Sequence, residues 1–269
     1  MDTIKGFVDS KDGTRIAYTR YGSGPAVVLV DGGLATQDFG PNKALAEALS
    51  SRYTVFTYDR RGRGGSGENL PLDIEREFED LDAVSDLAGE PVMLYGISSG
   101  GGMILDYLRS GRRVRKVALY EVPFVIDDGT RPPAPDDYVE HITSLLAQGK
   151  NGDAVKYFMR YGVRLPALLV AAFPLFPGWS HLKQVAPTMA YDLQYVAQFQ
   201  KGQKLPADRW TDLGAPVAVI AGSKSPAWMR NANEALAQAI PGATYKVLPG
   251  QTHLVKAPVL APALIEFFG

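Results

Sequence analysis

Apolar positions along this chain first recur with a period of two and then settle into a longer alternation. Residues 4–10 (IKGFVDS) and 14–22 (TRIAYTRYG) meet through Asp12-Gly13, a tight-turn dipeptide, so an antiparallel hairpin is predicted. Residues 26–30 (AVVLV) are apolar at every position, as in a strand buried on both faces. Helical periodicity follows over 42–51, then a β-rich run at 53–59 and an acidic-faced helix over 73–89. A strand at 91–96, a helix from 98 and a strand at 114–121 continue the alternation. Strand and helix in strict turn predict right-handed crossovers and a parallel sheet covered on both faces.

The alternation stops at residue 123. Prolines crowd 131–135 (RPPAP) and 173–179 (FPLFPGW), with helical patches at 138–149, 153–162 and 189–200. The pattern resumes with a strand at 216–222 (PVAVIAG), a helix over 228–239, a strand at 244–250 and a last helix over 258–268. The expected organisation is an α/β core formed by 1–122 and 206–269, interrupted by a helical cap over 123–205.

Composition narrows the function classes. With 269 residues, one core plus an inserted subdomain is the expected size. Lys and Arg number 28 against 29 Asp and Glu, and the densest basic stretch, Arg112–Lys116, reads as a solvated turn. Nucleic acid and anionic membranes are therefore not expected partners. There is no cysteine, which removes disulfides and thiolate nucleophiles, and the three histidines are too scattered for a helical metal pair, so no metal is expected. The first residues lack a basic and apolar leader and no apolar run spans a bilayer, so a cytoplasmic protein is expected.

Gly96-Ile97-Ser98-Ser99-Gly100 stands between a strand and a helix, the context a G-x-S-x-G nucleophile turn requires. Small residues two positions either side of the serine let strand and helix backbones approach. Ser98 satisfies that spacing, whereas Ser99 has Ile97 two positions before it. A serine hydroxyl needs a base to take its proton. His253 follows the last strand and so falls at the same sheet edge, while His141 and His181 lie in the insertion and read as surface residues. The Gly32-Gly33 pair after the first parallel strand has room to turn an amide inward. Gly33 N–H and Ser99 N–H are the expected oxyanion donors. Gly62 to Gly67 matches G-x-G-x-x-G, but Glu68-Asn69-Leu70-Pro71 follows instead of a helix start. That segment reads as a loop on the active-site side, and no cofactor is expected.

Together, GISSG, the DGG turn, YDRRGRGGSG, the late histidine in GQTH and the insertion after the sixth strand resemble the α/β-hydrolase family along nearly the whole chain. The resemblance implies an eight-stranded, mostly parallel sheet flanked by helices, a helical cap, and ester or lactone hydrolysis by Ser98 and His253. Two departures stand out. Asp31 occupies the place where many members carry histidine, and the turn after the seventh strand, Gly222-Ser223-Lys224-Ser225-Pro226, holds no acid. Among the other strand ends, Glu121 closes the sixth strand, and an acid there resembles the lactonase branch of the family. Glu121 is thus the inferred acid, with Asp127 and Asp128 as alternatives. Leu34, Phe124, Trp179, Trp228 and Met229 are the candidate pocket residues for a small hydrophobic ester or lactone. Acyl transfer or perhydrolysis by the same serine is the nearest rival, and a non-catalytic ligand-binding protein on the same fold is the other.

Overall fold

The computed structural model describes residues 3–71 and 73–269. Among these, eight strands form one sheet in the order β1-β2-β4-β3-β5-β6-β7-β8. β1 (Thr3–Asp9) and β2 (Arg15–Tyr21) form the hairpin, with Asp9 opposite Arg15 and Gly13 at φ +80° in the turn, a conformation glycine adopts without penalty. β2 runs antiparallel to β4 (Thr54–Tyr58), and every later pairing is parallel. The parallel strands are β3 (Ala26–Val30), β4, β5 (Met93–Ile97), β6 (Lys116–Tyr120), β7 (Val217–Gly222) and β8 (Thr244–Leu248).

Uniformly apolar strands work here because the alternating side chains feed two separate cores. In β3, Val28 and Val30 join one layer while Val27 and Leu29 join the other. The first layer is closed by α2 (Ile74–Asp86), α3 (Ser99–Arg109) and α9 (Ala227–Ala239), through Phe78, Leu81, Ile104 and Leu236 among others. The second is closed by α1 (Asn42–Leu49) and α10 (Ala257–Phe268), through Leu45, Leu49, Leu260 and Leu264. Burying each such side chain contributes roughly 1.5–3 kcal/mol, so both faces of the sheet hold their helices by the same force.

Between β6 and β7, among the described residues, lie five α-helices: α4 (Tyr138–Ala147), α5 (Asn151–Tyr157), α6 (Ala167–Ala172), α7 (Trp179–Val185) and α8 (Met189–Val196). A π-helical turn, Phe158–Gly162, extends α5. This insertion has a small core of its own, in which Ile142, Val155, Leu182 and Met189 cluster with Leu34 from the loop after β3. Leu168 and Leu175, in its apolar stretch, face solvent. α8 docks on α3, where its Tyr195 and Val196 join the first core layer. Among the described residues no helix is long and apolar enough to cross a membrane.

The acidic face of α2 points inward. Glu77 and Asp80 are each 1% exposed, because Arg60 and Arg61 from the loop after β4 lie against them. Arg60 Nε and Nη2 each donate to Glu77 at 2.6 Å, and Arg61 donates to both oxygens of Asp80 at 2.7 and 2.8 Å. Fork-shaped guanidinium pairs of this kind satisfy charges that burial would otherwise penalise.

Candidate active site

The loops that follow β3, β5, β6, β7 and β8 all emerge at the carboxyl edge of the parallel strands, where ligands bind in open α/β sheets. Ser98, half-buried, stands between β5 and α3 at φ 57°, ψ −130°, a strained conformation for a residue with a side chain. Its amide donates to Tyr120 O at 2.9 Å, and its carbonyl accepts from Gly101 N at 3.0 Å, which pins the turn. Both flanking glycines are required by close approach. A methyl group on Gly96 would stand 2.9 Å from the Gly100 backbone, and one on Gly100 would stand 2.6 Å from Val30 O.

Glu121 follows β6 at φ 48° and is fully buried. Its Oε2 lies 2.9 Å from His253 Nδ1, and its Oε1 accepts from Gly222 N at 2.7 Å. With the carboxylate accepting at both oxygens, the neutral imidazole that fits this contact carries its proton on Nδ1 and has a lone pair on Nε2. His253 itself is partly exposed at the edge of the site. Its loop is held from two sides: Tyr120 Oη donates to Thr252 O at 2.7 Å, and Lys224 N donates to Gln251 O at 2.8 Å. Gly222 permits that approach, since a side chain there would collide with the Gln251 carbonyl. Gly222, the last residue of β7 at the head of the acid-free turn, thus supplies the backbone donor that orients Glu121. Ser225, in that turn, is 2% exposed. Asp127 is exposed, and Asp128 pairs with Thr130 and Asn231 instead of His253.

The loop after β3 passes directly beside the serine. A methyl group on Gly32 would stand 2.8 Å from Ser98 Cβ, so only glycine lets this backbone come so close to the serine. Leu34 follows at φ 63°, turning the loop sharply. Neither Gly33 N nor Ser99 N donates to another protein atom among the described residues, so both amides are free to receive an anion. Behind them lies a buried charge network. Arg63 Nη1 donates to Gly32 O at 2.7 Å and Nη2 to Asp192 Oδ2 at 2.7 Å, while Asp192 Oδ1 accepts from Arg60 Nη1 at 2.6 Å and Ser99 Oγ at 2.8 Å. Burial opposes ionisation of Asp192, but Arg60 and Arg63 outweigh it and hold the carboxyl below its ordinary value.

Asp31 takes no part in that pairing. It is 2% exposed, and neither of its carboxylate oxygens has a partner at hydrogen-bond distance. Burial, helped by the nearby Asp59 charge, pushes its carboxyl up to about 7, against the pull of Arg63 and Arg60.

The remaining residues singled out from sequence are dispersed. Leu34 is buried with the insertion's core. Phe124 packs in the main core, 4.6 Å from Phe199 and 5.8 Å from Trp210 between ring centres. Trp179 lies against Gly152 and beneath Lys156 in the insertion. Trp228 carries the Arg131 guanidinium 4.1 Å above its ring, and Met229 is 5% exposed. Arg60, Arg63, Asp192 and Gly222 do not stand out in the sequence as site residues. The available signal is the RRGR cluster beside an acidic helix, too many charges for a loop that must pack. Among the described residues no three His, Asp or Glu side chains converge as a metal would require.

A family model described as the alpha/beta hydrolase family matches residues 27–265. An alpha/beta hydrolase from Sphaerobacter thermophilus DSM 20745 is 44% identical with a TM-score of 0.88, covering 98% of this chain and 100% of that one. The enol-lactonase from Burkholderia xenovorans LB400 shares the fold at 23% identity and TM-score 0.68, over 98% of this chain and 99% of its own. The uncharacterized hydrolase YraK of Bacillus subtilis (strain 168) is 38% identical over 100 residues, 35% of this chain. The match spans only 35% of that relative's length.

Proposed function

Because the chain belongs to the alpha/beta hydrolase family, we propose that it is a serine hydrolase cleaving small hydrophobic carboxylic esters or lactones. The observation that carries this reading is the Glu121–His253 pair at 2.9 Å, with a buried acid held by the Gly222 amide and a strained serine turn on the neighbouring strand. In the proposed reaction, His253 Nε2 takes the Ser98 proton as Oγ attacks the substrate carbonyl. The carbonyl π electrons move to oxygen, and the Gly33 and Ser99 amides receive the oxyanion. Collapse breaks the bond to the alkoxy oxygen, which leaves with the proton from His253. In a lactone that oxygen stays tethered to the acyl group. Water, deprotonated by the same imidazole, then attacks the acyl-enzyme and releases the acid with Ser98 restored.

Magnitudes agree with that division of labour. An oriented base contributes roughly 10²–10⁴ in rate, and a single oxyanion donor roughly 10²–10³. The apolar partner is supported by Leu34, which carries the hydrophobic core of the insertion up to the residue next to Gly33. The test is turnover of p-nitrophenyl esters and aliphatic lactones, together with labelling by a fluorophosphonate. Wild-type protein should turn over and label, and Ser98→Ala should do neither. Labelling that persists in Ser98→Ala moves the nucleophile elsewhere, and a wild type inert to every ester and to the probe favours a ligand-binding protein.

A further inference from the structure

We propose that Asp192, supplied by the insertion, is a positioning residue that fixes both backbone donors of the oxyanion hole. The inference rests on the serine-hydrolase reading above and assigns a role to a side chain that touches neither the nucleophile nor the base.

The two donors sit on separate pieces of chain, Gly33 on the loop after β3 and Ser99 at the first position of α3. An oxyanion site works only when both N–H groups converge on one point, to within about 0.5 Å. The carboxylate of Asp192 reaches both pieces. Its Oδ1 accepts from Ser99 Oγ at 2.8 Å, on the very residue whose amide is the second donor. Its Oδ2 accepts from Arg63 Nη2 at 2.7 Å, and Nη1 of the same guanidinium donates to Gly32 O at 2.7 Å. Gly32 C=O and Gly33 N–H belong to one planar trans peptide unit, so they point in opposite directions. Anchoring that oxygen on Arg63 therefore aims the Gly33 N–H away from the guanidinium.

The same arrangement strengthens the donor. A cation bonded to the carbonyl polarises the peptide unit and makes its N–H a better donor to an anion. Arg63 also reaches Thr188 Oγ1 at 2.9 Å, and Asp192 takes Arg60 Nη1 at 2.6 Å, so neither the guanidinium nor the carboxylate is free to swing. Space is equally restricted: a methyl group on Gly33 would stand 3.3 Å from Asp192 Oδ2 and 3.7 Å from Ser99 Oγ. Gly33 thus lies directly on the carboxylate that organises it. Asp192 and Thr188 both belong to the insertion, so the insertion braces the hole from behind.

Ser99→Ala cuts the link from Asp192 to the second donor while leaving both ion pairs and the Ser99 amide in place. Asp192→Asn keeps the shape but removes the charge that both arginines share. Losing a whole donor lowers kcat by roughly 10²–10³, so loosening one should lower it about tenfold. For Ser99→Ala, thermal melting first establishes that the variant is folded. Its kcat on p-nitrophenyl butyrate should then fall about tenfold with KM within about twofold of wild type. Affinity for a boronic acid, which forms a tetrahedral anionic adduct on the serine, should fall in step with kcat/KM. Asp192→Asn should lose more, and where it does not fold the Ser99→Ala result decides. An unchanged kcat in folded Ser99→Ala, a loss confined to KM, or unchanged boronate affinity overturns the positioning role. Failure of the hydrolase reading looks different: wild-type protein itself neither turns over nor labels.

Discussion

Replacing Asp31 by asparagine should raise stability at neutral and alkaline pH relative to its effect in acid. The carboxyl is 2% exposed with no partner at hydrogen-bond distance, and burial moves its titration from 3.8 to about 7. In the unfolded chain it ionises near 3.8, whereas the folded protein keeps the proton until about 7. Between those limits the folded state binds more protons, so its stability declines as pH rises. At about 1.4 kcal/mol per pH unit, a gap of roughly three pH units amounts to about 4 kcal/mol lost by about pH 8. A carboxamide at this position cannot ionise, so the variant lacks this slope and differs otherwise by an offset independent of pH. The assay is urea denaturation of both proteins from about pH 4 to about pH 9, read as the difference in unfolding free energy at each pH. Groups distant from Asp31 cancel in that difference, and Arg60 and Arg63 stay charged throughout the range. A difference that stays flat across the range, or that turns against the variant as pH rises, refutes the reasoning.

Two further predictions concern the Glu121–His253 pair. Glu121→Gln should retain the fold and the Gly222 contact but present an N–H to His253, reversing the imidazole tautomer; kcat on a p-nitrophenyl ester should fall by roughly 10³–10⁴. A variant within about tenfold of wild type removes Glu121 from the role. Gly222→Ala should push the His253 loop away through its collision with the Gln251 carbonyl, lowering kcat at least about a hundredfold, as misplacing a reacting group by about 1 Å does. Full activity in that variant, measured beside its melting temperature, contradicts the packing described for this turn.

The layered sheet was legible because its signal is local. The apolar run 26–30 became β3 with the same bounds, and the alternation on either side of it fixed the remaining parallel strands. The serine turn was legible for the same reason, since five consecutive residues carry its steric requirement. Glu121 is legible as an acid that closes a strand at the sheet's carboxyl edge, a matter of topology that order along the chain encodes. Asp192 could not be found that way. Within MAYDLQYV a single aspartate reads as the wet side of an amphipathic helix, and its partners Arg60 and Arg63 stand 132 and 129 positions away. Phe124 is a candidate pocket residue in the sequence, but Phe199 and Trp210 draw it into the main core. Side-chain direction after a strand end depends on what the distant chain packs there, which local pattern does not encode.

The buried charges also bear on how the molecule comes apart. Arg60 and Arg63 lie in the loop after β4, Glu77 on α2 and Asp192 on α8, and all are between 1% and 4% exposed. Stripping a buried ion pair of one partner typically costs about 3–5 kcal/mol, because the charge left behind has no compensation. Withdrawing α8 would take the shared carboxylate from both guanidinium groups: Arg60 keeps its fork on Glu77, whereas Arg63 is left without an anion, a cost of about 3–5 kcal/mol while it stays buried. The break in the sequence pattern is therefore crossed by charge pairs, and the expected outcome of thermal unfolding is one transition shared by core and insertion, with α8 held to the loop after β4 until the sheet itself opens.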